Sequence, residues 1–201
     1  MPEKKSGTSE RAIRRQAAAS RARVYHLKVN LSGSRPPIWR RLQVPGDVRL
    51  DRLHTILQIV TGWEDRHLHL FAAGRTVYRR PLPDLGFPSE DERKVALNEV
   101  LKREKERMRY EYDFRDGWEL VLVVEKILPP GTESTKPLCL GGKRRCPPEG
   151  SGGIINYERL LTAWSKPVRP EHAEIAEWRQ AGFDPEAFDL DQVNRQLARL
   201  R

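Results

Sequence analysis

Alternation of apolar and polar residues predicts that the ordered part of the chain begins with a strand. In the segment VYHLKVNL, residues 24–31, every second side chain is apolar: Tyr25, Leu27, Val29 and Leu31. A period of two is typical of a strand with one buried face. The turn-forming segment SGSRPP follows, and PIWRRLQV then has strand character as far as Pro45 and Gly46. We therefore predict a β-hairpin.

The pattern changes to a helical period in residues 48–63. The apolar residues of this segment recur at intervals of three and four: Leu50, Leu53, Ile56, Leu57 and Val60. Such spacing predicts one helix with a single buried stripe. Gly62 is placed to end this helix, because glycine tolerates the left-handed conformation that follows many helices.

Short strands, loops and helices are predicted for the rest of the chain. HLHLFAAGRTVY predicts two short strands, residues 79–94 a long loop, and the segment after it a short helix. MRYEYDF and WELVLVVEKI predict a second hairpin that turns at Asp116 and Gly117, and residues 129–153 predict a loop rich in glycine and proline. Helices are predicted over residues 157–164, over residues 171–180 and from Asp189 onwards.

The order of these elements predicts an α+β fold. We expect a mainly antiparallel sheet built from two β-hairpins, packed by one central helix and by the C-terminal helices. Residues 24–201 are expected to form this single domain. Residues 1–23 have almost no large apolar side chain and are expected to be a disordered basic tail.

Charge is concentrated in that tail. Its seven lysines and arginines against two glutamates give +5 of the formal net charge of +9. Basic arms bind nucleic acid by neutralising phosphates and releasing counterions, so Arg14, Arg15, Arg21 and Arg23 are candidate nucleic-acid contacts. A merely solubilising extension is the alternative.

The first hairpin adds a second basic candidate. PPIWRR combines Trp39 with Arg40 and Arg41, and arginine stacked on an indole ring is one way to contact a nucleic acid. A solvated strand face with one packed tryptophan is the alternative. No apolar run reaches the length of a membrane span, and two cysteines fit a reducing compartment, so we expect a cytoplasmic protein without membrane contact.

Histidines and aspartates supply the candidate chemistry. His67 and His69 are two residues apart, which on a strand places both on one face, and His54 lies on the preceding helix. Imidazoles of this kind suit zinc or another divalent metal, whereas histidines bonded to carbonyls or carboxylates at the helix–sheet junction are the alternative. Asp113, at the end of the strand before the second hairpin turn, and Asp116, in the turn itself, could serve acid–base or metal chemistry. A hydrogen-bond network is the alternative for Asp113, and the turn alone for Asp116.

Six segments taken together resemble a known family. PPIWRRLQVP, LHTILQIVTGW, HLHLF, YEYDFRDGWE, CLGGKRRCPPE and EWRQAGFDPEAFDLDQVN occur in the order typical of the plasmid pRiA4b Orf-three-like family. The resemblance runs from about residue 24 to residue 197. It implies an α+β domain of unknown function, linked in many members to plasmids and insertion elements.

The chain departs from the family pattern at potential ligand positions. Arg115 replaces a glycine, Leu120 stands where a histidine is usual, and Gly150 and Ser151 stand where the family has an aspartate and a third cysteine. Two cysteines, Cys139 and Cys146, remain, so we expect them to be packed thiols rather than zinc ligands.

Three functions fit the sequence. The first is a non-enzymatic binding or accessory protein of mobile elements, with nucleic-acid contact through the tail. The second is a metal-dependent or acid–base enzyme using His54, His67, His69, Asp113 and Asp116. The third is a protein–protein interaction module. No cofactor is predicted, apart from zinc or another divalent metal under the second hypothesis.

Overall fold

Eight strands form one sheet in the computed structural model, which describes residues 22–81, 88–132, 136–164 and 173–200. The strands are β1 Val24–Leu31, β2 Trp39–Pro45, β3 His69–Ala73, β4 Thr76–Arg79, β5 Glu90–Asp91, β6 Arg107–Tyr112, β7 Trp118–Leu128 and β8 Leu138–Lys143. Their order across the sheet is β5-β4-β3-β6-β7-β1-β2-β8. Neighbouring strands are antiparallel, except for the parallel pair β4–β5.

Helices complete the fold. They are α1 Leu50–Thr61, a 3₁₀ turn at Glu92–Lys94, α2 Leu97–Val100, α3 Gly153–Trp164, α4 Ala173–Gln180 and α5 Leu190–Leu197. The predicted α+β class with a mostly antiparallel sheet is confirmed. None of the helices in the described ranges is both long and apolar enough to cross a bilayer. The candidate residues Arg14, Arg15 and Arg21 lie outside these ranges.

Helix α1 and the sheet form the core. The apolar stripe of α1 is buried, with Leu53 and Leu57 at 0 % exposure, and packs in one cluster with the inward side chains of β1, β6 and β7. Gly62 follows the helix with φ 80°, and its N–H donates to the carbonyl of Gln58. The chain therefore turns sharply into the loop that leads to β3.

The sheet is wider than two hairpins, because β3, β4, β5 and β8 extend it. Strand β8 lies in the segment predicted as a loop, and it pairs with β2. Asn194 of α5 binds the other edge of this strand: Oδ1 accepts from Cys139 N at 2.8 Å, and Nδ2 donates to Cys139 O at 2.9 Å. The side chain of Asn194 thus satisfies the free N–H and C=O groups at the sheet edge. The residues of β8 alone do not predict a strand.

Strand β6 is shorter than predicted. It ends at Tyr112, and Asp113 adopts φ 54°, so Asp113 belongs to the turn and not to the strand. The carbonyl of Asp113 accepts from Gly117 N at 2.6 Å, and its Oδ1 accepts from Arg115 N at 3.1 Å. Because the chain leaves the sheet here, Phe114 is 45 % exposed instead of packed beside Tyr112.

Candidate functional site

A cleft of about 310 Å³ lies where α1, β3 and β4 meet the loop after α1. Helix α1 supplies one lining residue and the loop 65–68 supplies four. The others are His69 at the start of β3, Arg79 and Arg80 at the end of β4, and Phe114 in the turn after β6. The lining side chains are His54, Asp65, Arg66, His67, Leu68, His69, Arg79, Arg80 and Phe114. All three candidate histidines therefore face one cavity.

His54 and His69 are stacked face to face in the wall of this cleft. Their ring centroids are 3.6 Å apart and their planes differ by 5°. His54 Nε2 lies 2.9 Å from Asp65 Oδ1, and its Nδ1 lies 2.8 Å from Tyr110 Oη. Burial and the neighbouring His69 lower the pKa of His54. Since an ionised carboxylate only accepts, a neutral His54 donates from Nε2 to Asp65 and accepts from Tyr110 at Nδ1.

Tyr110 is itself fixed in position. Its hydroxyl accepts from Gln58 Nε2 at 2.8 Å, and burial raises its pKa well above the usual range, so it stays protonated. The hydroxyl of a buried tyrosine thus orients the imidazole of His54 from behind, on the side away from the cleft.

His69 has a buried carboxylate partner. His69 Nε2 lies 2.8 Å from Glu92 Oε2, and the Glu92 side chain is 1 % exposed. No group in the described ranges donates to the other oxygen, Oε1. A carboxylate behind a histidine fixes the tautomer and makes the remaining ring nitrogen a better ligand.

His67 belongs to a neighbouring network. Its Nε2 lies 3.5 Å from Asp113 Oδ2 and 4.0 Å from Glu149 Oε2, and its ring meets Tyr112 edge-on. The Tyr112 hydroxyl donates to Glu149 Oε1 at 2.7 Å. Burial raises the pKa of Tyr112, and this hydrogen bond raises it further. Strand β3 begins only at His69, so the premise that His67 and His69 share a strand face is wrong, although both line the cleft.

Asp116 lies apart from the other predicted residues. Its Oδ2 accepts from Gly152 N at 3.1 Å, next to the first residue of α3, Gly153. Gly153 has φ 78°, and a Cβ there would lie 2.4 Å from the carbonyl oxygen of Asp116. The close approach of the turn and α3 thus explains Asp116 as a tie between two segments.

Sequence reasoning missed one residue that lines the cleft, Asp65, and one that supports it from behind, Glu92. Asp65 lies in a loop with φ 55°, and only its position between His54 and His69 in the chain hints at a role. Glu92 sits in a charge-rich segment that predicts solvent exposure, yet the structure buries it beneath β3. Neither position has a local pattern that marks it as part of a site.

The cleft holds a set of side chains suited to a metal ion. Ligand atoms of His54, Asp65 and His69 lie within 4.8 Å of one another, and no other group of three such residues in the described ranges meets this condition. Tetrahedral zinc with bonds of about 2.0–2.2 Å holds two ligand atoms roughly 3.3–3.6 Å apart, so the three side chains would have to close by up to roughly 1.5 Å. Two imidazoles and one carboxylate are a donor set typical of zinc.

Arg40 is buried and is not part of an exposed basic face. It is 3 % exposed; Nε donates to Val60 O at 2.8 Å, and Nη1 donates to the carbonyls of Trp39 and Lys143. Its guanidinium also lies 3.9 Å from the ring centroid of Phe188. The guanidinium therefore ties α1, β2 and β8 together.

Trp39 and Arg41 point to the opposite face of β2. Arg41 makes a two-pronged ion pair with Glu125, at 2.6 and 2.9 Å, which raises the pKa of Arg41 and lowers that of Glu125. The guanidinium carbon of Arg41 is 5.7 Å from the Trp39 ring, and Lys28 Nζ is 5.9 Å from it. Arg23 is exposed just before β1.

Both cysteines are buried free thiols. Cys146 Sγ accepts from Arg40 Nη2 at 3.6 Å, and Cys139 Sγ donates to Gly141 O at 3.4 Å. Burial raises the pKa of each thiol. Leu120, at the position of the family's usual histidine, is packed in the core, and Ser151 Oγ donates to Pro148 O at 2.6 Å.

Comparisons with known proteins agree with the resemblance noted in the sequence. A curated relative, the uncharacterised protein y4hQ of Sinorhizobium fredii (strain NBRC 101917 / NGR234), is 36 % identical over 177 residues, which cover 87 % of this chain and 90 % of the relative. The crystal structure of MM3350, a protein of unknown function from Methanosarcina mazei Go1, superposes with a TM-score of 0.76 at 35 % identity. That match covers 85 % of this chain and 96 % of the other. The family model described as plasmid pRiA4b ORF-3-like protein matches residues 23–192, and the chain belongs to this family.

Proposed function

We propose that the protein binds a divalent metal ion of the zinc type in the cleft, through His54, Asp65 and His69. The convergence of these three side chains from a helix, a loop and a strand carries the proposal. Tyr110 and Glu92 support it, because each holds one histidine from behind, as outer-shell groups do in metalloproteins.

The electrostatics of the site favour a cation. The lowered pKa of His54 keeps its ring neutral at pH 7, and a neutral imidazole is the form that binds metal. A metal at Nε2 requires the tautomer with the proton on Nδ1, which would then donate to Tyr110 Oη, while Asp65 would turn from Nε2 to the ion. Asp65 keeps 63 % of its side-chain surface exposed, so an ion can reach it from the cleft. A bound zinc ion would act as a Lewis acid that polarises an oxygen of a ligand.

Metal content of the purified protein tests this proposal. Zinc-loaded protein, dialysed against buffer without chelator, should retain about one ion per chain, and His54→Ala or His69→Ala should lower the affinity at least about 100-fold. His67→Ala is the matched control, because His67 lines the same cleft outside the set of three. Equal zinc affinity in the wild type and in both ligand variants would contradict the proposal and leave the His–carboxylate pairs as purely structural bonds.

A second candidate function is sequence-independent nucleic-acid binding by residues 1–23. The tail holds +5 of the net charge of +9, and the surface group of Lys28, Trp39 and Arg41 offers a further basic and aromatic contact. This would suit an accessory protein of a plasmid or insertion element.

Salt dependence tests the second candidate. The affinity of the full chain for duplex DNA should fall with a log–log slope of about −0.9 per neutralised phosphate, and removal of residues 1–23 should flatten this slope. A Trp39→Ala variant tests the strand face separately. Identical titration curves for full-length and truncated protein would exclude the tail as the contact.

A further inference from the structure

Arginines form one wall of the candidate metal cleft. Arg79 and Arg80, at the end of β4, and Arg66, from the loop after α1, all line it together with His54 and His69. Arg66 is ion-paired with Glu64, and Arg79 is 5 % exposed with Nε donating to Ser89 Oγ at 3.0 Å. Arg80 is exposed, and no carboxylate in the described ranges pairs with it.

The charged side chains that line this cleft favour the binding of an anion. Of the three guanidinium groups that line it, Arg66 is already paired with Glu64 and Arg80 is exposed, while a metal ion would engage Asp65 and add its own positive charge. Guanidinium groups bind phosphate and carboxylate oxygens through planar, two-pronged hydrogen bonds. A ligand with two negative charges, such as a phosphate monoester, can engage Arg80 and the metal ion together better than a single carboxylate can.

Apolar surface in the same cleft adds a second requirement. Leu68 is 51 % exposed and Phe114 is 45 % exposed, although both are large apolar side chains. Phe114 reaches the cleft because the positive φ of Asp113 turns the chain out of β6. A volume of about 310 Å³ is at the lower end of small-ligand sites, so the ligand has room for one flat or apolar group beside its anion.

We infer that the cleft binds a phosphate monoester with a flat organic group, its phosphate between Arg80 and the metal site and its ring against Phe114. The inference rests on the proposed metal site and names the ligand class of that site. A small aryl or nucleoside phosphate and the phosphorylated 5′ end of a nucleic acid share this chemistry.

Calorimetry with phenyl phosphate tests the inference on the zinc-loaded full chain. Arg80→Gln should weaken phenyl phosphate binding at least about 10-fold. The matched control Arg75→Gln, an equal loss of charge in the exposed turn between β3 and β4, should change it less than about twofold. Phe114→Ala should weaken phenyl phosphate more than inorganic phosphate. Equal affinities for Arg80→Gln and Arg75→Gln, or benzoate binding as tightly as phenyl phosphate, would overturn the inference.

Two further measurements separate the failures and the ligand sources. Zinc content is measured on every variant: zinc-loaded wild type that fails to bind phenyl phosphate overturns the inference alone, whereas absence of zinc binding overturns the proposed function. A 5′-phosphorylated single-stranded oligonucleotide that binds more tightly than phenyl phosphate would identify a nucleic-acid end as the source. Equal binding of the unphosphorylated oligonucleotide would contradict recognition of a phosphate monoester.

Discussion

Two clusters of buried polar groups differ in where their hydrogen bonds point. Around Arg40, the donors are taken up by the backbone carbonyls of Val60, Trp39 and Lys143, inside the fold. Around His54 and His69, the Tyr110 hydroxyl and the Glu92 carboxylate hold the rings from behind while the rings line a cleft. The first cluster ends on main-chain carbonyls of the fold, whereas the second borders a cleft in which His54 and His69 are 7 % and 9 % exposed and Asp65 is 63 % exposed.

This difference separates a structural role from a chemical one. A buried cation whose partners are carbonyls of three elements stabilises their packing. The large apolar side chains beside the histidines, Leu68 and Phe114, gain nothing for packing from their exposure in the cleft. Substitutions in the two clusters should therefore affect different measured quantities, stability for Arg40 and ligand affinity for the cleft.

Arg40→Met should produce the largest effect. Methionine can replace the aliphatic stem but removes the donor to one buried and two partly buried carbonyls, so we expect the free energy of unfolding to fall by about 3–5 kcal/mol. Denaturant titration of the metal-free protein measures this loss.

Arg41→Met is the matched control for that experiment. Arg41 is next to Arg40 in the chain, pairs with Glu125 near the surface and keeps 42 % of its side-chain area exposed. Pairs of this kind contribute about 0–1 kcal/mol. Equal losses in the two variants would show that the Arg40 cluster is no more structural than a surface ion pair.

Glu92→Gln should affect the cleft instead. The amide keeps a hydrogen bond to His69 but loses the charge that makes the imidazole a stronger ligand, so zinc affinity should fall about 10–100-fold. Competition with a fluorescent chelator measures this change. Unchanged zinc affinity would mean that Glu92 does not act through His69.

The sequence predicts repeating patterns better than sites. Burial of one face produces a periodic pattern within a short segment, as in the stripe of Leu53 and Leu57 and the alternation in β1. Strand β8 escaped prediction because its pairing depends on β2 and on Asn194, about 50 residues away.

The same limit applies to the candidate site. His54, His67 and His69 could be selected by residue type and spacing. Asp113 was predicted to lie in a strand. The positive φ that ends the strand there leaves no mark in the pattern of apolar residues. Glu92 joins the site only through tertiary packing, so its neighbours in the chain give no sign of it.

The acid dependence of stability should show a smaller effect. Burial, with His69 beside it, holds the pKa of His54 below its ordinary value of 6.5, so unfolding at acid pH takes up a proton. The contribution of this group is full above pH 6.5 and is lost as the pH falls through the folded-state pKa, with a slope of at most about 1.4 kcal/mol per pH unit. Denaturant melts of metal-free protein between about pH 7.5 and about pH 5.5, one unit above and one unit below 6.5, measure it. His54→Gln should flatten the slope, and an unchanged slope would assign it to other groups.

X-ray absorption at the zinc edge tests the metal site most directly, because it reports which atoms bind the ion. Zinc-loaded full-length protein should show nitrogen and oxygen neighbours at about 2.0–2.2 Å, with the outer-shell signals of two imidazoles and no sulfur. His54→Ala should remove one imidazole signal or the ion itself. A sulfur shell at about 2.3 Å would place the zinc on Cys139 and Cys146 and contradict the assignment to His54, Asp65 and His69.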